Sequence, residues 1–203
     1  MNKLVLIDGN SLLNRAFYAM KVFTTKSGFP TNGIFGFIKL IFKIIEDEKP
    51  THFAVAFDVH APTFRHKMFE DYKGTRKPMP NELAEQVPVL KEVLSAMQIK
   101  TIELAGFEAD DVIGTLSRKF DQTQILIYTG DRDAYQLVKD NVTVCFTKRG
   151  VSDLERLTSK NFREKVGLEP WQIIEEKSLM GDKSDNIPGV YGIGAKTATD
   201  LLL

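Results

Sequence analysis

The sequence predicts an α/β protein with a doubly wound, mostly parallel central sheet. Short aliphatic runs alternate with amphipathic helical patterns, which is typical of parallel sheets covered by helices. Several of these runs end in acidic residues. The 203 residues suit one large domain, and equal numbers of basic and acidic residues give a net charge of zero. Because the acidic residues cluster, the remaining surface is correspondingly basic.

The first elements are predicted to be a strand and two helices. Residues 3–7 form an aliphatic run, typical of a buried strand, that ends at Asp8. Ser11 can cap the helix that follows, and Arg15 on that helix could reach a phosphate or pair with one of the acids. Residues 33–48 show helical periodicity. The apolar stripe of this helix, which we expect in the core, is Ile34, Phe37, Ile38, Ile41, Phe42 and Ile45.

The second strand, residues 53–57, ends at Asp58, and the segment after it changes character. Residues 59–81 interleave basic with aromatic side chains, a combination that suits single-stranded nucleic acid because cations bind phosphates and rings stack on bases. Following Asp58 directly, this segment would overhang the acidic edge of the sheet. The alternative is a solvated connector whose aromatic residues pack onto the body.

A dense acidic cluster follows the next helix and strand. Residues 82–97 have an amphipathic pattern, in which a proline predicts a kink or a later start. A short strand, residues 99–104, leads to Glu108, Asp110 and Asp111 at the start of another helix. The helix N-terminus stabilises each charge by only about 0.3–1 kcal/mol, so a cation is needed to hold all three. The alternative is an acidic first turn on a solvated helix.

Four more acidic residues complete the pattern. Asp131 and Asp133 follow the strand at residues 125–129, where either could merely cap a helix, and Asp182 and Asp185 lie near the C-terminus. The carboxyl ends of parallel strands share one edge, where ligands bind. So many acids at one edge form a pocket that needs cations. All-oxygen ligation favours Mg²⁺ or Mn²⁺ over zinc.

The last part of the chain has a helical pattern and a glycine-rich turn. We expect Trp171, which opens a helix, to be a packing residue. Gly189, Gly192 and Gly194 allow a compact turn whose N–H groups point out of a helix N-terminus, and Lys196 adds positive charge. Such a turn binds phosphate without reading sequence.

Together these motifs resemble the 5′-nuclease (5′–3′ exonuclease) domain at the N-terminus of bacterial DNA polymerase I, which is similar to flap endonucleases and has a PIN-like core. The resemblance runs in order from Leu6 to the last residue. Its motifs are Asp8, Phe57-Asp58, Tyr72-Lys-Gly-Thr-Arg76, Glu108-Ala-Asp-Asp111, Thr129-Gly-Asp-Arg-Asp133 and Gly181-Asp-Lys-Ser-Asp-Asn-Ile-Pro-Gly189.

The resemblance implies two-metal phosphodiester hydrolysis and assigns the site residues. The first metal site would use Asp8, Asp58, Glu108, Asp110 and Asp111. The second would use Asp131, Asp133, Asp182 and Asp185, some of them through water. The residues expected to act directly in catalysis are Lys73, Arg76, Asp8, Asp58, Asp110 and Asp131. The expected DNA contacts are Arg15, Arg65, Tyr72, Lys73, Arg76, Gly189, Gly192, Gly194 and Lys196, of which residues 72–76 belong to an arch over the site.

The resemblance also implies a division of the chain. Residues 1–157 would form the nuclease core, with residues 59–81 as the arch. Residues 158–203 would form a helical segment that holds the start of a helix–three-turn–helix element, which grips duplex DNA and can hold a potassium ion. That element continues beyond Leu203 in the family, so we expect an incomplete duplex grip, with no polymerase domain in the sequence itself.

The expected activity is hydrolysis of DNA at 5′ ends or 5′ flaps, giving a 5′-phosphate and a 3′-hydroxyl, in replication and repair. The expected partners are flapped, nicked or branched duplex and a polymerase domain in the natural chain. Without a secretory signal or a long apolar span, we expect a cytoplasmic protein. A monomer is the default expectation for its oligomeric state. Two alternatives stay open. A PIN-type ribonuclease would need neither the arch nor the glycine-rich tail, and a non-catalytic DNA-junction-binding module would gain nothing from an acidic pocket.

Overall fold

The computed structural model describes residues 2–150 and 153–203, with Arg149 described by its backbone alone. A six-stranded sheet runs through the molecule in the order β3-β2-β1-β4-β5-β6. Its strands are β1 (Lys3–Asp8), β2 (His52–Ala56), β3 (Lys100–Ile102), β4 (Gln124–Thr129), β5 (Val142–Arg149) and β6 (Asp153–Leu157). Neighbours are parallel except β5 and β6, which confirms the predicted mostly parallel α/β sheet.

The strand order fixes where a ligand can bind. From β1 the chain first builds outward through β2 and β3, then returns to the other side of β1 with β4 and β5. The order therefore reverses between β1 and β4. In open α/β sheets the crevice outside the carboxyl ends of the strands at such a switch point is the usual ligand site.

Helices cover both faces of the sheet. One face packs against α1 (Gly9–Ala19), α2 (Asn32–Glu48) and α5 (Gln86–Ala96). The other packs against α6 (Ala109–Lys119), a 3₁₀ helix (Arg132–Leu137), α7 (Phe162–Val166) and α8 (Gln172–Met180). The short helix α3 (Phe64–Met68) lies within the arch segment, and α4 (Asn81–Ala84) begins at the last residue of that segment.

Two expectations for the first helices are wrong. Asp8, not Ser11, caps α1, and its Oδ1 accepts a hydrogen bond from the Ser11 backbone N–H at 3.0 Å. The strand-end acid is already in the N-cap position, where a carboxylate serves as well as a hydroxyl. On α2, Phe42 is 60% exposed and Ile45 is also exposed. Because α2 is apolar on more than one face, periodicity alone did not identify the stripe that meets the sheet.

The expected helix over residues 82–97 is two helices. α4 ends at Ala84, and α5 begins at Gln86. Pro88 is the third residue of α5, where a backbone N–H would have no intrahelical acceptor. This confirms the later start that the proline predicted.

The last 46 residues, after β6, pack on the same core as the sheet. Phe162, Leu168 and Ile173 are buried in one cluster with residues of β1 and β4. A two-stranded ribbon, β7 (Gly181–Asp182) with β8 (Ile187–Pro188), leads to α9 (Ala195–Leu202). The domain boundary at 157/158 stays a prediction. In the described parts of the chain, no helix combines the length and apolar character needed to cross a membrane.

A buried acid ties α2 to the sheet. Glu48 accepts hydrogen bonds from the Tyr128 hydroxyl at 3.1 Å, from Lys3 Nζ at 3.3 Å and from Arg156. Burial opposes its ionisation, but the hydrogen bond and charge of Arg156 outweigh burial and lower the pKa of Glu48. The charged form of this side chain therefore stabilises the fold.

We expect Glu48→Ala to lower the free energy of unfolding by about 1–3 kcal/mol at pH 7, since it leaves Arg156 and Tyr128 without their acceptor. Because folding lowers the pKa, the difference from the parent protein is complete above about pH 5 and shrinks as pH falls through the folded pKa. Urea unfolding at several pH values measures this. The exposed Glu46 on the same helix is the control; equal losses in Glu46→Ala would contradict it.

Candidate active site

Every carboxylate assigned to metal binding from the sequence lies around one cavity of 1110 Å³ at the carboxyl edge of the large sheet. The acidic lining is Asp8, Asp58, Glu108, Asp110, Asp111, Asp131, Asp133, Asp182 and Asp185. The arch segment contributes Arg65, Tyr72, Lys73 and Arg76 to the same cavity. The structure thus brings together residues that are up to 177 positions apart in the chain.

Asp8 and Asp131 stand at the two sides of the β1–β4 switch point and are linked by Thr129. The Thr129 hydroxyl donates to Asp8 Oδ2 at 2.7 Å, and the Asp131 backbone N–H donates to that hydroxyl at 2.9 Å. Burial raises the pKa of Asp8 to about 6, against the hydrogen bonds from Thr129 and Ser11. A nearby cation favours the charged form of such a buried carboxylate.

Asp58 and Asp110 approach from the next strand and from the start of α6. Asp58 Oδ1 accepts from the Ala109 backbone N–H at 2.7 Å, which joins the end of β2 to the N-terminus of α6. Burial, and next the negative charges of Asp8 and Asp131, raise the pKa of Asp110 well above its ordinary value. These acids therefore repel one another within one small volume.

The four acids Asp8, Asp58, Asp110 and Asp131 form no ion pair with any described side chain. The other five acids of the cavity all do. Since unpaired buried charges are costly, the first group is where an additional cation stabilises most.

Basic side chains of the arch pair with two acids at the N-terminal turn of α6, Glu108 and Asp111. Arg65 binds Asp111 with two hydrogen bonds of 2.7 and 2.8 Å, and Lys73 Nζ donates to Glu108 Oε1 at 2.8 Å. Asp111 Oδ2 also accepts from the Glu108 backbone N–H at 2.9 Å. Burial opposes ionisation, but the Arg65 hydrogen bonds outweigh it and lower the pKa of Asp111. Both oxygens of Asp111 thus have protein donors.

Tyr72 and Arg76 join the arch to the C-terminal part of the site. The buried Tyr72 hydroxyl lies 3.1 Å from Glu108 Oε2 and 3.0 Å from Asp185 Oδ2. Arg76 pairs with Asp185, and its Nε donates to the Ser184 carbonyl at 3.1 Å. Burial, and next the charges of Asp185 and Glu108, raise the pKa of Tyr72, so the hydroxyl stays a donor.

A lysine that the sequence analysis did not single out holds two further acids. Lys177 Nζ donates to Asp182 Oδ2 at 2.6 Å and also contacts Asp133. Burial opposes the charge of Lys177, but its hydrogen bonds to Asp133 and Asp182 raise its pKa. The Lys177 and Ser184 hydrogen bonds likewise outweigh burial and lower the pKa of Asp182 to about 2.

Arg15 contacts backbone carbonyls, and the contact with a phosphate expected for it stays a prediction. Its guanidinium donates to the carbonyls of Gly130 at 2.8 Å and Lys148 at 3.2 Å, and the described residues include no carboxylate partner for it. A Cβ at Gly130 would lie 1.8 Å from Arg15 Nε. Glycine is therefore needed before Asp131 so that Arg15 can hold this loop.

The glycine-rich tail lies beside the carboxylate cavity and outside it. A second cavity, of 1140 Å³, has Arg15, Asp131 and Asp182 on one side and Gly194 at the start of α9 on the other. The N-cap residue of α9 is Gly194, which makes no side-chain cap, and Lys196 in the first turn is exposed. Gly189 has a packing role, because a Cβ there would lie 2.2 Å from the Met180 carbonyl carbon.

The donor chemistry fits hard divalent cations. Asp133, Asp182 and Asp185 each have one carboxylate oxygen, and these three oxygens lie within 4.8 Å of one another. The acidic residues that line the cavity all offer carboxylate oxygens as ligands. Mg²⁺ and Mn²⁺ prefer such oxygen ligands. On the other side of the cavity, the Thr129 hydroxyl positions Asp8, and Asn10 Oδ1 accepts from the Asp58 backbone N–H at 2.9 Å. Thr129 belongs to the motif Thr129-Gly-Asp-Arg-Asp133, which is recognisable in the sequence. No sequence motif indicated a role for Lys177.

Two family models together match almost the whole chain. The model described as "5'-3' exonuclease, N-terminal resolvase-like domain" matches residues 3–167, and the one described as "5'-3' exonuclease, C-terminal SAM fold" matches residues 168–203. The resemblance noted from the motifs is thereby confirmed.

Curated relatives agree with these matches. DNA polymerase I of Bacillus subtilis (strain 168) is 50% identical over 202 residues, which cover 98% of this chain and 23% of the relative. DNA polymerase I of Mycobacterium tuberculosis (strain ATCC 25618 / H37Rv) is 47% identical over 199 residues, covering 96% of this chain and 22% of the relative. The chain thus spans about a quarter of the length of these proteins.

Solved structures share the fold. The D15 protein of T5, co-crystallised with metal ions, has a TM-score of 0.77 at 23% identity, covering 98% of this chain and 74% of that one. The catalytic core of Rad2 in complex with DNA substrate has a TM-score of 0.63 at 19% identity, covering 98% of this chain and 60% of that one.

We expect Lys177→Met to lower the free energy of unfolding by about 1–3 kcal/mol in low-salt buffer with EDTA, because Asp133 and Asp182 lose their shared ammonium group. Mg²⁺ should restore part of the lost stability by binding the carboxylates of Asp133 and Asp182. Thermal melting with and without Mg²⁺ measures both effects. Lys119→Met, which removes an exposed lysine from α6, is the matched control, and equal melting of the two variants would refute the bridging role.

Proposed function

Because this chain belongs to the 5′–3′ exonuclease family, we propose that it hydrolyses DNA phosphodiesters from 5′ ends or at 5′ flaps. The products are a 5′-phosphate and a 3′-hydroxyl. The observation that carries the proposal is the single cavity with nine carboxylates, four of which form no ion pair with described residues. A DNA-binding module without catalysis would gain nothing from so costly an arrangement.

Two divalent ions, Mg²⁺ or Mn²⁺, are the proposed cofactors. Asp8, Asp58, Glu108, Asp110 and Asp111 would serve the first, and Asp131, Asp133, Asp182 and Asp185 the second, some through water. When bound, such ions supply a nucleophilic water of lowered pKa and neutralise charge on the scissile phosphate. The raised pKa values of Asp8 and Asp110 support a cation at the first group.

The arch residues are proposed to hold the scissile phosphate. Lys73 and Arg76 lie at the cavity, where their carboxylate contacts fix them, and each has donors that suit phosphate oxygens. Lys73 has a left-handed backbone (φ 58°), and its N–H donates to the Asp185 carbonyl at 2.9 Å. Arg65 and Tyr72 are proposed as further DNA contacts. Because both residues belong to the arch and line the cavity, catalysis would depend on where the arch lies.

Duplex DNA is proposed to lie along the second cavity. Arg15, Gly189, Gly192, Gly194 and Lys196 would contact its backbone. The exposed start of α9 favours anions because its N–H groups and the helix dipole point outward. A potassium ion at this turn, as the resemblance implies, is part of the same proposal.

The proposed substrates are flapped, nicked or branched duplexes of replication and repair. A polymerase domain is a proposed partner in the natural chain, since the similar regions of the relatives belong to DNA polymerase I. A monomer in the cytoplasm, where bacterial DNA is replicated, is the proposed working form.

We expect a 5′-labelled flap duplex to be cut near the branch at low salt with Mg²⁺ or Mn²⁺, and not with EDTA. Low salt matters because phosphate contacts weaken steeply with ionic strength. Asp131→Asn should reduce the rate by about 10³-fold, the effect of losing several kcal/mol of transition-state stabilisation. Asp121→Asn, in the exposed turn after α6, is the matched control and should keep full activity.

Full activity of Asp131→Asn, or cleavage in EDTA, would contradict this proposal. Faster cleavage of single-stranded RNA than of flap DNA would favour the PIN-type ribonuclease instead. Binding of the flap duplex without metal and without cleavage would favour the junction-binding module.

A further inference from the structure

Thr129, the last residue of β4, is a neutral side chain enclosed between two acids of the carboxylate cavity. It is fully buried. It lies beside Asp8 because β1 and β4 are adjacent parallel strands, paired up to Ile7 and Tyr128. Burying a hydroxyl is costly unless it is hydrogen-bonded, so the contacts of this side chain indicate what it does.

The Thr129 hydroxyl both accepts and donates, and the direction of both bonds is fixed. The Asp131 backbone N–H can only donate, so the hydroxyl oxygen accepts from it at 2.9 Å. The hydroxyl proton is then directed to Asp8 Oδ2 at 2.7 Å, which accepts when the carboxyl group is ionised. Thr129 therefore links the main chain of the loop after β4 to the carboxylate at the end of β1.

Ser11 makes a second link of the same kind. Its backbone N–H donates to Asp8 Oδ1 at 3.0 Å, and its hydroxyl oxygen accepts from the Gly130 backbone N–H at 2.9 Å. The two oxygens of Asp8 are thus connected, through Ser11 and Thr129, to two successive N–H groups of the loop. We call Ser11, Thr129, Gly130 and the Asp131 backbone the Asp8 clamp. A carboxylate oxygen has two lone pairs, so both Asp8 oxygens can still bind a cation.

The Asp8 clamp also restricts Asp131, which lines the same cavity. Its backbone N–H is held by Thr129, and its Oδ1 accepts from the Asp133 backbone N–H at 2.9 Å at the start of the 3₁₀ helix. The main chain and one carboxylate oxygen of Asp131 are therefore both fixed. Asp8 belongs to the first group of proposed metal ligands and Asp131 to the second, so the clamp joins the two groups.

We propose that the Asp8 clamp positions the metal ligands of both groups, with Thr129 as its central positioning residue. This inference rests on the proposed function, because it concerns the same divalent ions. Ligands that are already in place need no rearrangement when an ion binds, and residues that orient metal ligands typically contribute about 10- to 100-fold to metal affinity.

The sign of the effect separates positioning from charge. A hydrogen bond from Thr129 stabilises the negative charge of Asp8, which by itself weakens the attraction of that carboxylate for a cation. Removing the hydroxyl would therefore tighten ion binding if only charge mattered. It weakens ion binding if the hydroxyl holds the ligands in place.

Mn²⁺ titration followed by electron paramagnetic resonance measures this effect without DNA and without cleavage. Thr129→Val keeps the shape of the side chain and removes the hydroxyl, and we expect the dissociation constant for Mn²⁺ to rise by about 10- to 100-fold. Thr129→Ser restores the hydroxyl and should restore most of the affinity. Thr147→Val is the matched control, since Thr147 is also buried and its hydroxyl donates to the Thr129 carbonyl and not to an acid. Thermal melting in EDTA fixes a temperature at which all variants are folded.

Unchanged or tighter Mn²⁺ binding in Thr129→Val would overturn the proposal, even where the variant melts at a lower temperature. An equal loss of affinity in Thr147→Val would overturn it as well. If Thr129→Val does not fold, Ser11→Ala removes the hydroxyl that holds the Gly130 N–H; it should weaken Mn²⁺ binding in the same direction, and unchanged binding would refute the clamp. Absence of Mn²⁺ binding in the parent protein would instead contradict the proposed function, so the two failures are distinguishable.

Discussion

Repulsion among nine carboxylates at one sheet edge is the constraint on which the rest of the site depends. The protein meets it in two ways. Glu108, Asp111 and Asp185 are paired with arch cations, and Asp133 and Asp182 with Lys177. Among the described residues, Asp8, Asp58 and Asp131 receive hydrogen bonds from hydroxyl and backbone groups and no ion pair. The negative charge of the acids without ion pairs is therefore concentrated where the parallel strands end. A divalent ion would stabilise the protein most at that place.

The same ion pairs explain why a basic segment of DNA-binding character lies over an acidic pocket. Lys73 and Arg76 are drawn to the pocket by its carboxylates, and the Tyr72 hydroxyl joins two of these acids across 77 residues of sequence. The arch and the ribbon β7–β8 thus hold each other in place. A phosphate entering the cavity meets cations that are already oriented by the acids beneath them.

Sequence reasoning identified the sheet and the acids because both follow local rules. A strand-end acid such as Asp8 or Asp58 reaches the carboxyl edge once the strand is parallel and central, whatever the rest of the fold does. The predicted cap of α1 was wrong because Asp8 and Ser11 are equally good cap residues, and the helix begins at Gly9, directly after Asp8. Phe42 and Trp171, both 60% exposed, were wrongly expected to pack because periodicity shows an apolar face without showing what covers it. Lys177 could not be predicted, since its two partners come from separate segments.

The most direct test of the central claim is to count the divalent ions that bind to the carboxylate cavity. Mn²⁺ titration followed by electron paramagnetic resonance gives the number of bound ions and their affinity in the absence of DNA. We expect up to two ions per chain and a clear loss of affinity in Asp110→Asn, because Asp110 lies among the unpaired acids. No Mn²⁺ binding at millimolar concentration, or binding that Asp110→Asn leaves unchanged, would contradict the claim that these acids form a metal site.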